Sequence, residues 1–243
     1  QQLPTAGALS NRNLIINGAM NVAQRGTSSS ATGYTTVDRW RISKGAASIT
    51  QTQEALSSGD PYNEGFRNFL RATVTTASSS DSAYHEFQQK IEAQNLAQSG
   101  WKYTDSSSYI TYSFWARSSL AGTYYVSYVS QDVANLYYNK AFTLSANTWT
   151  KVTQTIPGHS SMVINNDSGS GLVVMIATHY GANFTSSSTA ADAWYVRSGA
   201  DNYLPDYSQN WTNTANATFD ITGVQLEVGE KATPFEHRSF GDE

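Results

Sequence analysis

In this chain of 243 residues, the segment DAWYVRSGADNYLPDYSQNW, residues 192–211, gathers the side chains best suited to surface chemistry. Trp194, Tyr195, Tyr203, Tyr207 and Trp211 are interspersed with Gly, Asn, Asp and Pro, without sustained alternation. An indole or phenol face stacks on the apolar C–H face of a sugar ring, while Asn, Asp and Arg side chains hydrogen-bond hydroxyl groups. On that chemistry, Trp194, Tyr203, Tyr207 and Trp211 are candidate carbohydrate contacts, assisted by Arg197, Asp201 and Asn202. The competing reading is a long ordered loop whose rings pack on the protein body or on a neighbouring subunit, because large rings bury where they can.

Other chemistries find less support. Gly18 and Gly26 lie eight residues apart and match neither the dinucleotide fingerprint nor the P-loop. Of the four histidines, His85 and His179 sit inside strand patterns, and no serine occupies a nucleophile-elbow motif. Glycoside hydrolysis needs two acids flanking a cleft at a set separation. Neither Asp192, Asp201 and Asp206 nor Glu86 and Glu92 are spaced so as to select such a pair. NNDSGSG, residues 165–171, is dense in oxygen ligands but lacks the EF-hand spacing and reads as a turn. With no cysteine, thiolate metal sites and thiol nucleophiles are excluded. No catalytic residue, metal or cofactor is assigned.

Composition narrows the partners. Only 14% of residues are charged, against roughly 25% in typical soluble domains. Net charge is −4 with no Lys/Arg cluster, which argues against nucleic acid or an anionic membrane surface as a partner. Apolar runs reach about six residues, short of the roughly 20 needed for a membrane-spanning helix, so no membrane insertion is expected. Neutral hydrogen-bonding residues with 15 Tyr and 6 Trp suit uncharged, hydroxyl-rich partners such as glycans.

The elements that must position these groups read mostly as strands. In SSYITYSFWARSS, Ile110, Tyr112, Phe114 and Ala116 alternate with bulky residues of the other parity, as in a central strand. TYYVSYVS, residues 123–130, follows a Gly122 turn signal and reads as its hairpin partner. WTKVTQTIPG alternates Val152, Gln154 and Ile156 before a Pro-Gly turn, and GLVVMIATHY is apolar enough for burial on both faces. NFLRATV and YHEFQQKI add two strands, with Phe87 and Ile91 inward. In TFDITGVQLEV, Phe219 and Ile221 share one parity and Val224, Leu226 and Val228 the other; an extra residue at Thr222 and Gly223, a β-bulge, restores a common face. The only helix signal is a short connector within residues 90–100. Leu14 to Ile16 reads as an entering strand, Gly18 and Gly26 as bends, residues 27–33 as an exposed loop and Trp40 as a core anchor. The fold class is therefore all-β, an antiparallel β-sandwich of jelly-roll type. Residues 1–12 form an extended N-terminal segment, and residues 13–243 a single domain.

Several motifs occur in a fixed order: NLIINGAMNVAQRGTS at residues 13–28, YTTVDRW at 34–40, QKIEAQNL at 89–96, TYSFWARSS at 111–119, and the close from FDITGVQLEV to GDE at 219–243. Together they resemble tailed-phage virion proteins, the tail-fibre and appendage proteins with a jelly-roll domain similar to carbohydrate-binding modules. The resemblance implies a virion location, a homotrimer, contacts with other virion proteins, and attachment to host-surface glycans without enzymatic activity. A purely structural joining or decoration role is the alternative, and a polysaccharide-degrading enzyme a second one. Carbohydrate-binding modules of this shape often use a Glu near the start to hold a structural calcium. Asn17, Gly18, Ala19, Met20 and Asn21 occupy the corresponding positions, and Asn21 stands where that carboxylate would be.

Overall fold

A computed structural model describes residues 12–132, 136–199, 203–239 and 241. The N-terminal segment, apart from Arg12, lies outside the described residues. Among the described residues twelve strands follow in order: β1 (Ser28–Ser29), β2 (Arg41–Gly45), β3 (Ser48–Ala55), β4 (Asn68–Thr76), β5 (Tyr84–Glu92), β6 (Tyr109–Ser118), β7 (Gly122–Ser130), β8 (Leu136–Leu144), β9 (Thr150–Pro157), β10 (Ser170–Tyr180), β11 (Trp194–Val196) and β12 (Thr218–Val228). They form two six-stranded sheets, β1-β3-β4-β12-β6-β9 and β11-β8-β7-β10-β5-β2, and all ladder pairings between them are antiparallel. The chain is an all-β antiparallel sandwich of jelly-roll type.

The core lies between the sheets and is built by period-two alternation. From the first sheet come Leu70, Ile110, Tyr112, Phe114, Phe219 and Ile221, and from the second Phe87, Tyr124, Tyr128, Val174 and Ile176, all buried in one cluster. At about 1.5–3 kcal/mol per buried large apolar side chain, this layer is the main source of stability. Trp40 caps one end, its indole N–H donating to the Asn17 carbonyl at 3.1 Å.

The expected bulge is present in β12. Thr222 pairs with Trp115 and Gln225 with Ser113, so the register shifts between them and brings Val224 and Leu226 back to the core face. Gly223 has φ +62°, and a Cβ there would lie 2.6 Å from the Phe66 ring. Gly18 is needed for close approach instead: its missing Cβ would lie 2.0 Å from the Val224 carbonyl oxygen.

Three sequence expectations are corrected. β6 and β7 are not a hairpin, because β6 pairs with β9 and β12 while β7 pairs with β8 and β10. The chain crosses between sheets at Gly122, since each strand has an apolar face to bury and the second sheet supplies the cover. Leu14 to Ile16 form bends rather than a strand, held by the Leu14 amide donating to the Leu226 carbonyl at 2.8 Å. The loop at residues 27–33 contains β1, paired to β3. The expected helical connector within residues 90–100 is present over Ala93–Ala97, while Lys90 and Ile91 still belong to the β5 ladder.

Candidate functional site

The outer face of the second sheet is ordered by its register. One row across it reads Lys90, Val173, Val129, Tyr137, Tyr195; the next reads Arg41, Gln88, Met175, Ser127, Asn139; the third begins Ser43, Glu86, Ala177, Tyr125. These are the residues whose parity is opposite to the core-facing set. They floor an open groove of about 490 Å³ whose lining is shared among β2, β5, β7, β8, β10 and the segments around Phe184 and Tyr203.

Aromatic rings wall the groove. Tyr203 lies edge-on to Tyr137 with centroids 5.9 Å apart and meets Tyr180 at 6.3 Å; Tyr84 meets Tyr180 at 5.4 Å. The Arg197 guanidinium stands 3.8 Å above the Tyr203 ring centroid and 5.4 Å from that of Tyr137. A cation over an aromatic face in this geometry is attracted by the ring quadrupole and fixes the ring's orientation.

A polar chain crosses the floor. Arg41 donates to the Gln88 side-chain carbonyl at 2.8 Å, Gln88 donates to Glu86, and the Tyr180 hydroxyl donates to the other Glu86 oxygen. Glu86 is 3% exposed, and burial pushes its carboxyl above the usual carboxylate range against the opposing pull of these hydrogen bonds and of Arg41. Burial likewise raises the Tyr180 hydroxyl well above its ordinary value, as does the neighbouring Glu86. Beside this site, His179 is driven down to about 4 by burial, so its imidazole is neutral at physiological pH.

The sequence-predicted residues do not converge on one site. Tyr203 lines the groove and Arg197 covers its ring. Tyr207 is half-buried beside it, edge-on to Tyr125, its hydroxyl donating to the Ala177 carbonyl at 3.2 Å. Trp194 faces the other way: on β11 it packs against Tyr138 and the core, and its indole donates to the Pro157 carbonyl at 2.8 Å. Trp211 is fully covered in a 3-10 turn, its ring tilted against His85 at 5.2 Å and its indole donating to the Thr218 carbonyl, so the fold leaves it no face for a ligand. Asp201 and Asn202 lie outside the described residues. The segment is not a free loop, since β11 adds an edge strand to β8.

Sequence reasoning missed Tyr137, Tyr180, Arg41, Gln88 and Lys90 as members of a site. Part of the signal was available, because Glu86, Gln88 and Lys90 alternate with the inward Phe87 and Ile91. At the position where relatives would carry a calcium-holding carboxylate, Asn21 Oδ1 accepts from the Asn68 side-chain amide at 3.0 Å. No group of three or more His, Cys, Asp or Glu side chains able to hold a metal occurs among the described residues.

No protein-family model matches the chain, and no curated protein matches it in sequence. Solved structures give distant likenesses. The enzymatically active domain of bacteriophage CBA120 tailspike protein 4 is 12% identical with a TM-score of 0.48, covering 89% of this chain; this chain spans only 21% of that protein. A cyclase from Fischerella sp. TAU is 9% identical with a TM-score of 0.49, covering 90% of this chain and 98% of its own. A family 4 carbohydrate-binding module is 13% identical with a TM-score of 0.43, covering 88% and 99%.

Proposed function

We propose that this chain is a glycan-binding protein whose site is the aromatic groove on the outer face of the β11-β8-β7-β10-β5-β2 sheet. The observation that carries this reading is the combination of Tyr203, Tyr137 and Tyr180 around the groove with a hydrogen-bonding row, Arg41, Gln88 and Glu86, along its floor. Ring faces supply the apolar contact that a pyranose needs, and the fixed polar row supplies orientation. Of the candidates read from sequence, Tyr203 lines the groove and Arg197 stands over its ring, while Tyr207 lines an adjoining depression that shares Tyr180. Of the acids, Glu86 lies in the described lining, and it is engaged by two donors.

The ordered motifs support a further step: a domain of residues 13–243 on a phage virion appendage, acting as a homotrimer in attachment to host-surface glycans. The position and copy number of this chain in intact particles test that step. For the site itself, glycan-array binding is compared between the native protein and Tyr203→Ala and Tyr137→Ala. Loss of one stacked ring, worth about 1.5–3 kcal/mol, corresponds to roughly a tenfold to hundredfold weakening. Unchanged binding in both folded variants would place the site elsewhere.

A further inference from the structure

We propose that the groove selects anionic saccharides, those bearing a carboxylate or sulfate, and that Arg41 and Lys90 hold the acid group. This rests on the glycan-binding reading and departs from the neutral partner that composition alone suggests.

The argument starts from how the chain spends its cations. Lys and Arg number 15 against 19 Asp and Glu, so excess positive charge at any one place is uncommon. Seven of those cations form ion pairs with carboxylates. Arg41 and Lys90 are not among them, and both line the groove. Lys90 is exposed. Arg41 sits directly opposite Gln88 in the ladder, two residues from Lys90 along β5. Such diagonal positions on one sheet face lie about 7–8 Å apart, within joint reach of two long side chains. A guanidinium binds a carboxylate or sulfate through paired N–H groups, and an ammonium adds a compact second charge.

Arg41 is also positioned in advance. One of its guanidinium nitrogens is anchored on Gln88, itself 8% exposed and hydrogen-bonded to Glu86, which leaves its other N–H groups for a ligand. Holding such a side chain before binding lowers the ordering cost of association. Glu86 is the one acid in the described lining, and both its oxygens are already engaged, by Tyr180 and Gln88. Burial pushes its carboxyl above the usual carboxylate range. The contrast with the neighbouring depression is informative. That one shares Lys90 and contains Arg25 and Arg39 with Asp38 and Glu92, so its formal charge equals that of the groove, but Arg25 is paired with Asp38 at 2.9 Å. What sets the groove apart is that Arg41 and Lys90 stand beside Tyr137, Tyr180 and Tyr203.

The test is an array holding acidic and neutral glycans, probed at low and high salt with the native protein and with the Arg41→Gln/Lys90→Gln variant, whose fold is checked by near-ultraviolet circular dichroism. Expected is a set of acidic hits that weaken about tenfold or more in the variant, and equally on carboxyl reduction or desulfation of the best hit; those two treatments also tell carboxylate from sulfate. Neutral hits bound equally well by the native protein and the variant would overturn anion selection while leaving glycan binding in place. A folded native protein that binds nothing on the array would overturn both.

Discussion

On the outer face of the β1-β3-β4-β12-β6-β9 sheet, Asp220 is 1% exposed and is gripped by two arginines, Arg71 at 2.7 Å and Arg117 at 2.8 Å. On the outer face of the other sheet, Glu86 is buried almost as deeply, yet its hydrogen bonds come from the neutral groups of Tyr180 and Gln88. The surroundings differ in the same sense. Over the first face the chain folds back on itself: Phe66, Phe69 and Trp115 form a second apolar cluster with Trp149 and Phe235 against it. The closing segment adds hydrogen bonds there, Thr233 donating to Glu227 and the Glu236 amide to Gln225. The second face keeps an open groove. A covered face can commit its charges to one another, whereas an open face with unpaired cations and neutral donors retains bonding capacity for something else.

The largest expected effect comes from breaking the first arrangement. Replacing Arg71 and Arg117 together by Ala strands a buried carboxylate, and about 3–5 kcal/mol of unfolding free energy should be lost in denaturant titrations. Either single replacement should cost clearly less, because the second arginine remains. A double variant as stable as the native protein would remove the supposed role of that network.

The second sheet should instead make the fold sensitive to pH. His85 on β5 is completely buried, with a pKa lowered by desolvation from 6.5 to about 3. Between those values the unfolded chain holds a proton that the folded chain does not. The contribution of His85 is therefore full above about pH 6.5 and is lost as pH drops, by up to about 1.4 kcal/mol per unit. His179, lowered to about 4, adds to the same slope. His85→Gln should flatten the acid limb by about one proton, whatever its effect at neutral pH; an unaltered slope would mean that His85 is not the titrating group.

The smallest effect concerns Glu86, whose raised carboxyl pKa has the opposite sign. Here the folded state retains a proton that the unfolded state releases above about 4.5, so stability declines as pH rises from that point. Glu86→Gln should abolish this decline, measured as the difference in unfolding free energy between pH 5 and pH 8. Hydrogen bonds from Tyr180 and Gln88 and the field of Arg41 oppose the desolvation. Identical pH dependence in the variant and the native protein would show that the site holds Glu86 ionised at no cost.

Strand faces were legible in the sequence because side-chain direction in a strand depends only on parity. Phe87 and Ile91 point inward as the alternation requires, and the mismatch between Ile221 and Val224 located the bulge at Gly223. Strands of mixed polarity such as β2, β3 and β8 gave no comparable signal. The candidate site was less legible still. Within residues 192–211 the ring types were visible, but nothing local separates Trp211, which enters the core, from Tyr203, which faces the groove.

What the sequence determined by itself was the all-β class, the inward faces of its main strands and the supply of aromatic and neutral hydrogen-bonding groups. Tertiary structure decided which sheet each strand joins, since hydrogen bonds such as those pairing Phe219 with Ala72, or His85 with His179, join residues far apart in the chain. It also decided which outer face is covered by returning chain and which stays open. Those choices depend on burying apolar surface between distant segments, a property of the whole chain that no local pattern encodes.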